Sequence, residues 1–134
     1  RGIYMSLKFV NPDNAPSPAA NYRNLAIIPS GYRLLAIAGQ IGNLVDGTIV
    51  NGLEAQFEQA VSNINAIVAS EGGDSTNIAR ITVFLAEKPN EGDKIAAAME
   101  RNFPSVRPAM SWVYVSELFS PDVKVEIEAI AAVP

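Results

Sequence analysis

The sequence contains no cysteine and no histidine among its 134 residues. The first absence excludes disulfide bonds and thiolate chemistry. The second removes the commonest general base, the commonest metal ligand and the usual activator of a catalytic serine. We therefore expect no metal and no other cofactor. A chain of this length buries roughly two-thirds of its unfolded surface, which is enough for a stable apolar core without disulfide bonds or a bound metal.

Positive charge is also scarce, because 10 Lys and Arg residues face 14 Asp and Glu residues and leave a net charge of -4. Repulsion from phosphates makes nucleic acid a poor partner for such a chain. No apolar run approaches the roughly 20 residues of a membrane span. The opening RGIYM lacks the apolar region of a signal peptide, and Met5 is a candidate native start with residues 1–4 added before it. We expect one cytoplasmic domain over residues 1–134, with no membrane partner.

Alternating and helical apolar patterns predict six strands and two helices. The strands are predicted at residues 7–10, 25–28, 32–38, 78–85, 109–115 and 123–132, and the helices at 51–73 and 91–103. Asn51 is expected to cap the first helix in a capping box with Glu54, and the pair Gly72-Gly73 to end it. The order β-β-β-α-β-α-β-β indicates an α+β domain in which both helices cover one face of a mixed sheet.

Two helices leave the second face of the sheet uncovered. In the strand at 109–115, Met110, Trp112 and Tyr114 alternate with smaller residues, and in the last strand Glu126 and Glu128 share one side. We expect the aromatic patch and the two carboxylates to lie together on the uncovered face. Such a face is too apolar to stay exposed, which predicts a homo-oligomer that buries it.

Taken singly, the motifs leave alternatives open. Glu126 and Glu128 lie about 7 Å apart on one strand face and either divide acid and base roles or form a solvated edge. The glycines of AGQIG, residues 38–42, either admit a ligand close to the backbone or make a turn. Tyr22 and Arg23 either close over a pocket or are plain surface residues. The spacing alone does not decide among these.

Three segments together are similar to the Rid family, also called the YjgF or reactive-intermediate deaminase family. They are AGQI at 38–41, RPAMS at 107–111 and DVKVEIEAIA at 122–131, and the similarity runs from about residue 9 to residue 133. The resemblance implies a chorismate-mutase-like fold and a homotrimer whose sheets form a central barrel, with small-molecule clefts between subunits. Active members of the family hydrolyse enamines and imines such as 2-aminoacrylate to a 2-keto acid and ammonia.

The resemblance also implies roles for single residues. Glu126 and the backbone carbonyl of Trp112 are expected to hold the attacking water. The expected ligand-binding residues are Tyr22, Arg23, Gly39, Gln40, Met110 and Ser111.

The arginine with which the family grips a substrate carboxylate is absent, because its position is Met110. A thioether offers apolar contact in place of a bidentate charged bond. Losing about 3 kcal/mol in this way costs roughly a hundredfold in affinity or rate. Arg23 is the better candidate to replace the missing guanidinium, and Arg107 is the other.

Three functions follow from these residues. The first is a divergent Rid hydrolase acting on a small enamine, imine or related metabolite. The second is a homotrimer that binds a metabolite without turnover. The third, a ribonuclease or translation inhibitor, is disfavoured by the missing histidine and the net negative charge.

Overall fold

A computed structural model describes residues 6–134, so the expectations about Met5 and residues 1–4 fall outside the described residues. The predicted order of strands and helices is confirmed. The strands are β1 Lys8–Val10, β2 Leu25–Ile27, β3 Arg33–Ile41, β4 Ile78–Leu85, β5 Ala109–Tyr114 and β6 Val125–Val133. The helices are α1 Leu53–Ser70 and α2 Gly92–Asn102, and a short 3-10 turn, Ser75–Asn77, leads into β4.

Four of the strands form one mixed sheet in the order β3-β6-β4-β5. The pair β4 and β5 is parallel, whereas β6 is antiparallel to both of its neighbours, β3 and β4. The two short strands β1 and β2 pair with each other in a separate ribbon. The strand β5 is therefore an edge of the main sheet, and this edge borders the cleft described below.

Both helices pack on the same face of the sheet, as predicted. The covered face contributes Ile81, Val83 and Leu85 from β4 and alternate residues of β6 to a single buried cluster. Helix α1 adds Phe57, and α2 adds residues of one face to the same cluster. These apolar side chains recur at the strand and helix periods and therefore share one face of each element. Their removal from water is the main stabilising contribution to the fold.

The predicted position of the aromatic patch is wrong. In the parallel register, Met110 stands beside Ile81 and Trp112 beside Val83, which places both on the covered face. The Trp112 ring packs against Phe57 of α1, with ring centroids 6.0 Å apart. Strand alternation separates the bulky residues from the small ones, but only the pairing with β4 decides which set faces the helices.

The carboxylates lie on the opposite, open face, where Glu126 pairs with Phe84 and Glu128 with Thr82. The ribbon of β1 and β2 covers only one end of this face, around Ala132. Farther along, Leu34 is 66% exposed and Ile130 45% exposed. The open face is thus a mixture of exposed aliphatic and charged side chains even without the aromatic patch.

The predicted capping box of α1 is also wrong. Gly52, with φ +94°, takes the N-cap position, and no side chain caps the helix start. The Glu54 carboxylate instead accepts hydrogen bonds from the N–H groups of Asn90 at 3.0 Å and Glu91 at 3.2 Å. Its own backbone N–H and these two donors hold the pKa of the Glu54 carboxyl below its ordinary value. Glu54 therefore ties α1 to the start of α2.

The predicted end of α1 is confirmed. Gly72 has φ +86°, and the N–H groups of Gly72 and Gly73 donate to the carbonyls of Ala69 and Val68 at 3.0 and 3.1 Å. This is the Schellman arrangement, in which a left-handed glycine satisfies the last carbonyls of a helix. Within residues 6–134, no helix is long and apolar enough to cross a membrane.

One buried polar side chain, Gln56 of α1, fixes the chain just before β6. It is 2% exposed. Its amide donates to the carbonyls of Val50 at 3.0 Å and Asp122 at 2.8 Å, and its oxygen accepts from the Lys124 N–H at 2.8 Å. Gln56 thereby aligns the start of the strand that carries Glu126.

The substitution Gln56→Leu is expected to lower the free energy of unfolding by about 3 kcal/mol, since it leaves three backbone groups without their partners. Urea denaturation at a fixed protein concentration measures the change. Ser62→Leu, at an exposed position of the same helix, is the matched control and is expected to change the value by less than about 0.5 kcal/mol. Equal effects of the two variants would show that Gln56 does not hold this junction.

Candidate active-site cleft

A cleft of about 680 Å³ runs along the outer edge of β5, between the N-terminal loop and the first turns of α2. Its lining is Ala19, Ala20, Tyr22, Gly92, Ile95, Ala96, Met110, Ser111 and Trp112. No lining side chain is charged. A concave, mostly apolar site with a few hydroxyl groups is the usual form of a small-molecule pocket.

The N-terminal loop is tied to β5, and this places Tyr22 in the cleft. The Arg23 N–H donates to the Pro108 carbonyl at 3.3 Å, and Arg23 forms an isolated parallel bridge with Ala109. Asn24 also fixes the loop, because its side-chain amide donates to the Pro16 carbonyl at 2.8 Å. The Tyr22 hydroxyl accepts the Ala19 N–H at 3.3 Å. Tyr22 is therefore fixed opposite β5 by backbone contacts on either side of it.

From β5, the structure brings Met110, Ser111 and Trp112 into the same cleft as Tyr22. Met110 and Trp112 border it from the helix side of the sheet. Ser111, on the opposite side by strand alternation, borders it around the edge. Pro108 does not turn Met110 away. Four of the residues that the sequence motifs indicate thus meet at one place in a single chain.

Gly39 and Glu126 form a second group, on the open face. An extra residue in β3, between Ile37 and Gln40, makes a bulge opposite β6. A Cβ on Gly39 would lie 2.7 Å from the Glu126 Cδ, closer than real side chains approach, so a larger residue at position 39 would push this carboxyl group aside. The Gln40 amide turns back to the Ala38 carbonyl at 3.0 Å.

The two groups do not meet within one chain. Glu126 pairs with Phe84 of β4, which pairs in turn with Val113 of β5. The backbone at Glu126 is therefore two strand spacings, about 9.6 Å, from β5. Gly39, Gln40 and Glu126 are absent from the lining of the cleft.

Neither candidate for a replacement arginine lines the cleft. Arg23 and Arg107 border a separate hollow of about 150 Å³ next to the end of α2. Arg107 donates to the carbonyls of Met99 and Phe103, both at 2.9 Å, and to the Glu100 carboxylate at 3.0 Å. It thus satisfies the last carbonyls of a helix, a structural task for a basic side chain. Within one chain both arginines lie outside the cleft, and a ligand contact of Arg23, with Arg107 as the alternative, stays a prediction.

The sequence motifs missed Arg80 of β4, which lies on the open face and donates to the Ser111 hydroxyl at 2.6 Å. Arg80 thereby contacts a residue of the cleft directly. Strand alternation could have placed Arg80 on the polar side of β4, opposite Ile81 and Val83. The contact itself depends on the parallel pairing of β4 with β5, and the sequence of either strand alone does not predict that pairing.

Acidic residues do not gather into a metal site: within the described range 6–134, no cluster of three or more suitable side chains is present. The groups at hand for chemistry are the Glu126 carboxylate, two hydroxyls and backbone carbonyls. A carboxylate with such partners can take a proton from water and return it to a leaving group.

Comparison with known proteins agrees with the fold and the motifs. The family model described as Endoribonuclease L-PSP matches residues 12–133. A RutC family protein of Pasteurella multocida is 37% identical over 130 residues, which are 92% of this chain and 96% of that protein. A 2-iminobutanoate/2-iminopropanoate deaminase of Bos taurus is 31% identical over 126 residues, or 92% of this chain and 88% of that protein.

Two solved structures show the same similarity in three dimensions. The Rid family protein YyfB of Yersinia pestis matches with a TM-score of 0.84 at 27% identity, covering 96% of this chain and all of that one. The YjgF gene product of Escherichia coli matches with a TM-score of 0.66 at 32% identity, covering 92% and 97%. With the family model matching residues 12–133 and these relatives spanning most of the chain, the protein belongs to the Rid (YjgF) family.

Proposed function

We propose that this chain is a divergent Rid hydrolase that acts on a small enamine, imine or related metabolite in clefts between copies of the chain. The observation that carries the proposal is the tight packing of Gly39 against the Glu126 carboxyl group. Glycine leaves room at this position for the carboxyl group and for a ligand close to the backbone, whereas a larger side chain would push the carboxylate aside. Relatives such as the Bos taurus protein are named imine deaminases.

In the proposed reaction, Glu126 accepts a proton from water as the water oxygen bonds to the imine carbon. The same carboxylic acid then returns the proton to the substrate nitrogen. This gives a carbinolamine, and Glu126 next carries the remaining hydroxyl proton from its oxygen to the nitrogen. The C–N bond breaks, ammonia leaves and a carbonyl forms, so that no oxidant, reductant or cofactor is consumed. The Trp112 carbonyl accepts the second hydrogen of the attacking water and so orients it.

Glu126 and Trp112 have to come from different chains for this mechanism. Each water hydrogen bond spans about 2.8 Å, whereas the two backbones lie two strand spacings, about 9.6 Å, apart within one chain. The Glu126 side chain also leaves the opposite face of the sheet from the Trp112 ring. The proposed site therefore joins the Glu126 group of one copy to the Met110 cleft of another.

The open face supports the same assembly. Leu34, Val113 and Ile130 expose 66%, 38% and 45% of their surface on a sheet face that has no helix over it. Burying such aliphatic groups is worth about 25 cal/mol for each Å² removed from water. We propose a homotrimer whose open faces meet around a central axis, which is the barrel expected for the family.

Binding without turnover is the second candidate. The uncharged lining of the cleft favours it, because Met110 offers no donor to position a charged substrate. A ribonuclease, the activity named by the description of the family model, has less support. The net charge of -4 opposes phosphate binding, and the open face presents Glu126 and Glu128.

The variant Glu126→Gln is expected to lose at least about a hundredfold in turnover, because an amide cannot accept the proton of the attacking water. Imines generated in situ with uncharged and carboxylate-bearing side groups serve as substrates, and ammonia release is followed. Glu128→Gln, which removes the neighbouring carboxylate of the same strand, is the control and is expected to retain turnover. Full activity of Glu126→Gln would contradict the mechanism, and binding of ligands without any turnover would favour the second candidate.

Static light scattering is expected to give three times the chain mass of 14.3 kDa, about 43 kDa. Leu34→Arg is expected to shift the mass toward the monomer, because it places a charge on the open face. Val45→Arg adds the same charge at a fully exposed loop position and is expected to leave the mass unchanged. A wild-type monomer would contradict a site shared between copies.

Gly39→Ala is expected to lower the free energy of unfolding by only about 1 kcal/mol, because the added methyl group pushes aside the flexible end of the Glu126 side chain. In a Glu126→Ala background, the same change is expected to have little effect, since the colliding atoms are gone. Chemical denaturation of the four proteins at one concentration measures the coupling. Additive effects would show that Gly39 does not fix the carboxylate.

A further inference from the structure

The residues that line the cleft carry two hydroxyl groups, on Tyr22 and Ser111, and one indole N–H donor, on Trp112. Each hydroxyl already accepts a hydrogen bond from the protein. The Tyr22 oxygen accepts the Ala19 N–H at 3.3 Å, and the Ser111 oxygen accepts an Arg80 N–H at 2.6 Å. A hydroxyl group has one proton to donate, and neither of these bonds uses it.

Among the described residues neither hydroxyl proton has an acceptor, so both can be directed at a ligand. Across residues 6–134, the hydrogen bonds of these two side chains end at Ala19 and Arg80. The Arg80 guanidinium cannot accept a hydrogen bond, so the Ser111 proton is directed away from it. Its positive charge also polarises the hydroxyl and makes Ser111 the stronger donor of the two.

The cleft gives a carboxylate no matching partner. Met110 supplies no charge, Arg107 is held by α2, and Arg23 borders another hollow. The Arg80 guanidinium reaches the cleft only through the Ser111 hydroxyl. Placing an anion among apolar side chains without a cation is costly.

The start of α2 borders the cleft at Gly92, and its backbone N–H groups attract anions weakly. Glu91 and Asp93 stand on either side of Gly92 and oppose that attraction, and the neighbouring Lys94 ammonium is paired with Glu91 at 2.9 Å. The balance at this end of the cleft favours an uncharged ligand.

We propose that the cleft recognises a neutral small molecule with an apolar body and one carbonyl-type acceptor, which the Tyr22 and Ser111 hydroxyls hold. Arg80 acts as a positioning residue for Ser111. The apolar body lies against Met110, Trp112 and Ile95. This inference rests on the ligand site of the proposed function, but it does not require turnover.

Two ligands of the same skeleton test the proposal: cyclohexanecarboxamide, which is neutral, and cyclohexanecarboxylate, which is an anion. Both are transparent where tryptophan absorbs, and Trp112 is the single tryptophan of the chain. Its fluorescence therefore reports binding in the cleft directly. The amide is expected to bind at least about tenfold more tightly than the carboxylate.

Variants then assign the contacts. Tyr22→Phe and Ser111→Ala are each expected to weaken binding of the amide by about fivefold, the effect of one lost hydrogen bond. Arg80→Gln is expected to weaken it by a smaller factor, because the polarising charge is lost while a donor to Ser111 remains. Met110→Arg is expected to reverse the preference in favour of the carboxylate, whereas Val45→Arg, with the same charge in an exposed loop, keeps the wild-type order.

Tighter binding of the carboxylate by the wild-type protein, equal binding of both ligands or no binding of the amide would each overturn the proposal. So would unchanged amide affinity in both Tyr22→Phe and Ser111→Ala. Failure of the hydrolase proposal is seen separately, because a protein that prefers the amide but releases no ammonia from any imine keeps this inference and loses only the reaction.

Discussion

Two helices can cover only one face of a four-stranded sheet, so the other face has no helix over it. The proposed site and the proposed assembly both depend on this open face. The covered face receives the aliphatic residues of β4 and β6 together with Trp112. The open face keeps Glu126 beside exposed aliphatic groups such as Leu34. A glutamate on this face is accessible to another copy of the chain, whereas one on the covered face would be buried under a helix. Folding and assembly thus create the proposed site in two steps.

The edge position of β5 is the second feature with consequences for function. Because no strand within residues 6–134 pairs with its outer side, the N-terminal loop can dock there and bring Tyr22 into the same cleft as Met110. In the account proposed above, Met110 makes this a cleft for an apolar group, where the resemblance to the family implies an arginine that holds an anion. Arg80 keeps a positive charge nearby, but on the other side of the sheet and behind a hydroxyl. The fold of the family is retained, and the proposal changes only the chemistry that this cleft offers to a ligand.

Much of the fold could be predicted from the sequence because it is written in local patterns. The helical period in α1, the glycine pair that ends it and the alternation in β6 each identify an element with its position. The N-cap of α1 was missed because Glu54 finds donors in a distant segment, at Asn90 and Glu91. The face of the sheet on which Trp112 lies was predicted wrongly. Alternation separates the two sides of β5, but only the pairing of β5 with β4 decides which side meets the helices.

Those residues of the candidate site that lie in sequence motifs could be predicted. Those that depend on contacts between distant segments of the chain could not. Gly39, Glu126, Tyr22 and Met110 could be selected from motifs alone. The capping task of Arg107 and the contact of Arg80 with Ser111 depend on how α2 and β4 lie against β5. Within one chain, the structure also separates the selected residues into two groups, a division that a linear motif cannot express.

The central claim is that a catalytic centre forms where the Glu126 carboxylate of one copy meets the Trp112 carbonyl of another. An experimental structure of the assembled protein measures the distance between these two oxygen atoms across the interface. Two hydrogen bonds through one water predict a separation of about 4–6 Å. A carboxylate that faces solvent or a central axis, at more than about 10 Å from every Trp112 carbonyl, would exceed that reach and contradict the account.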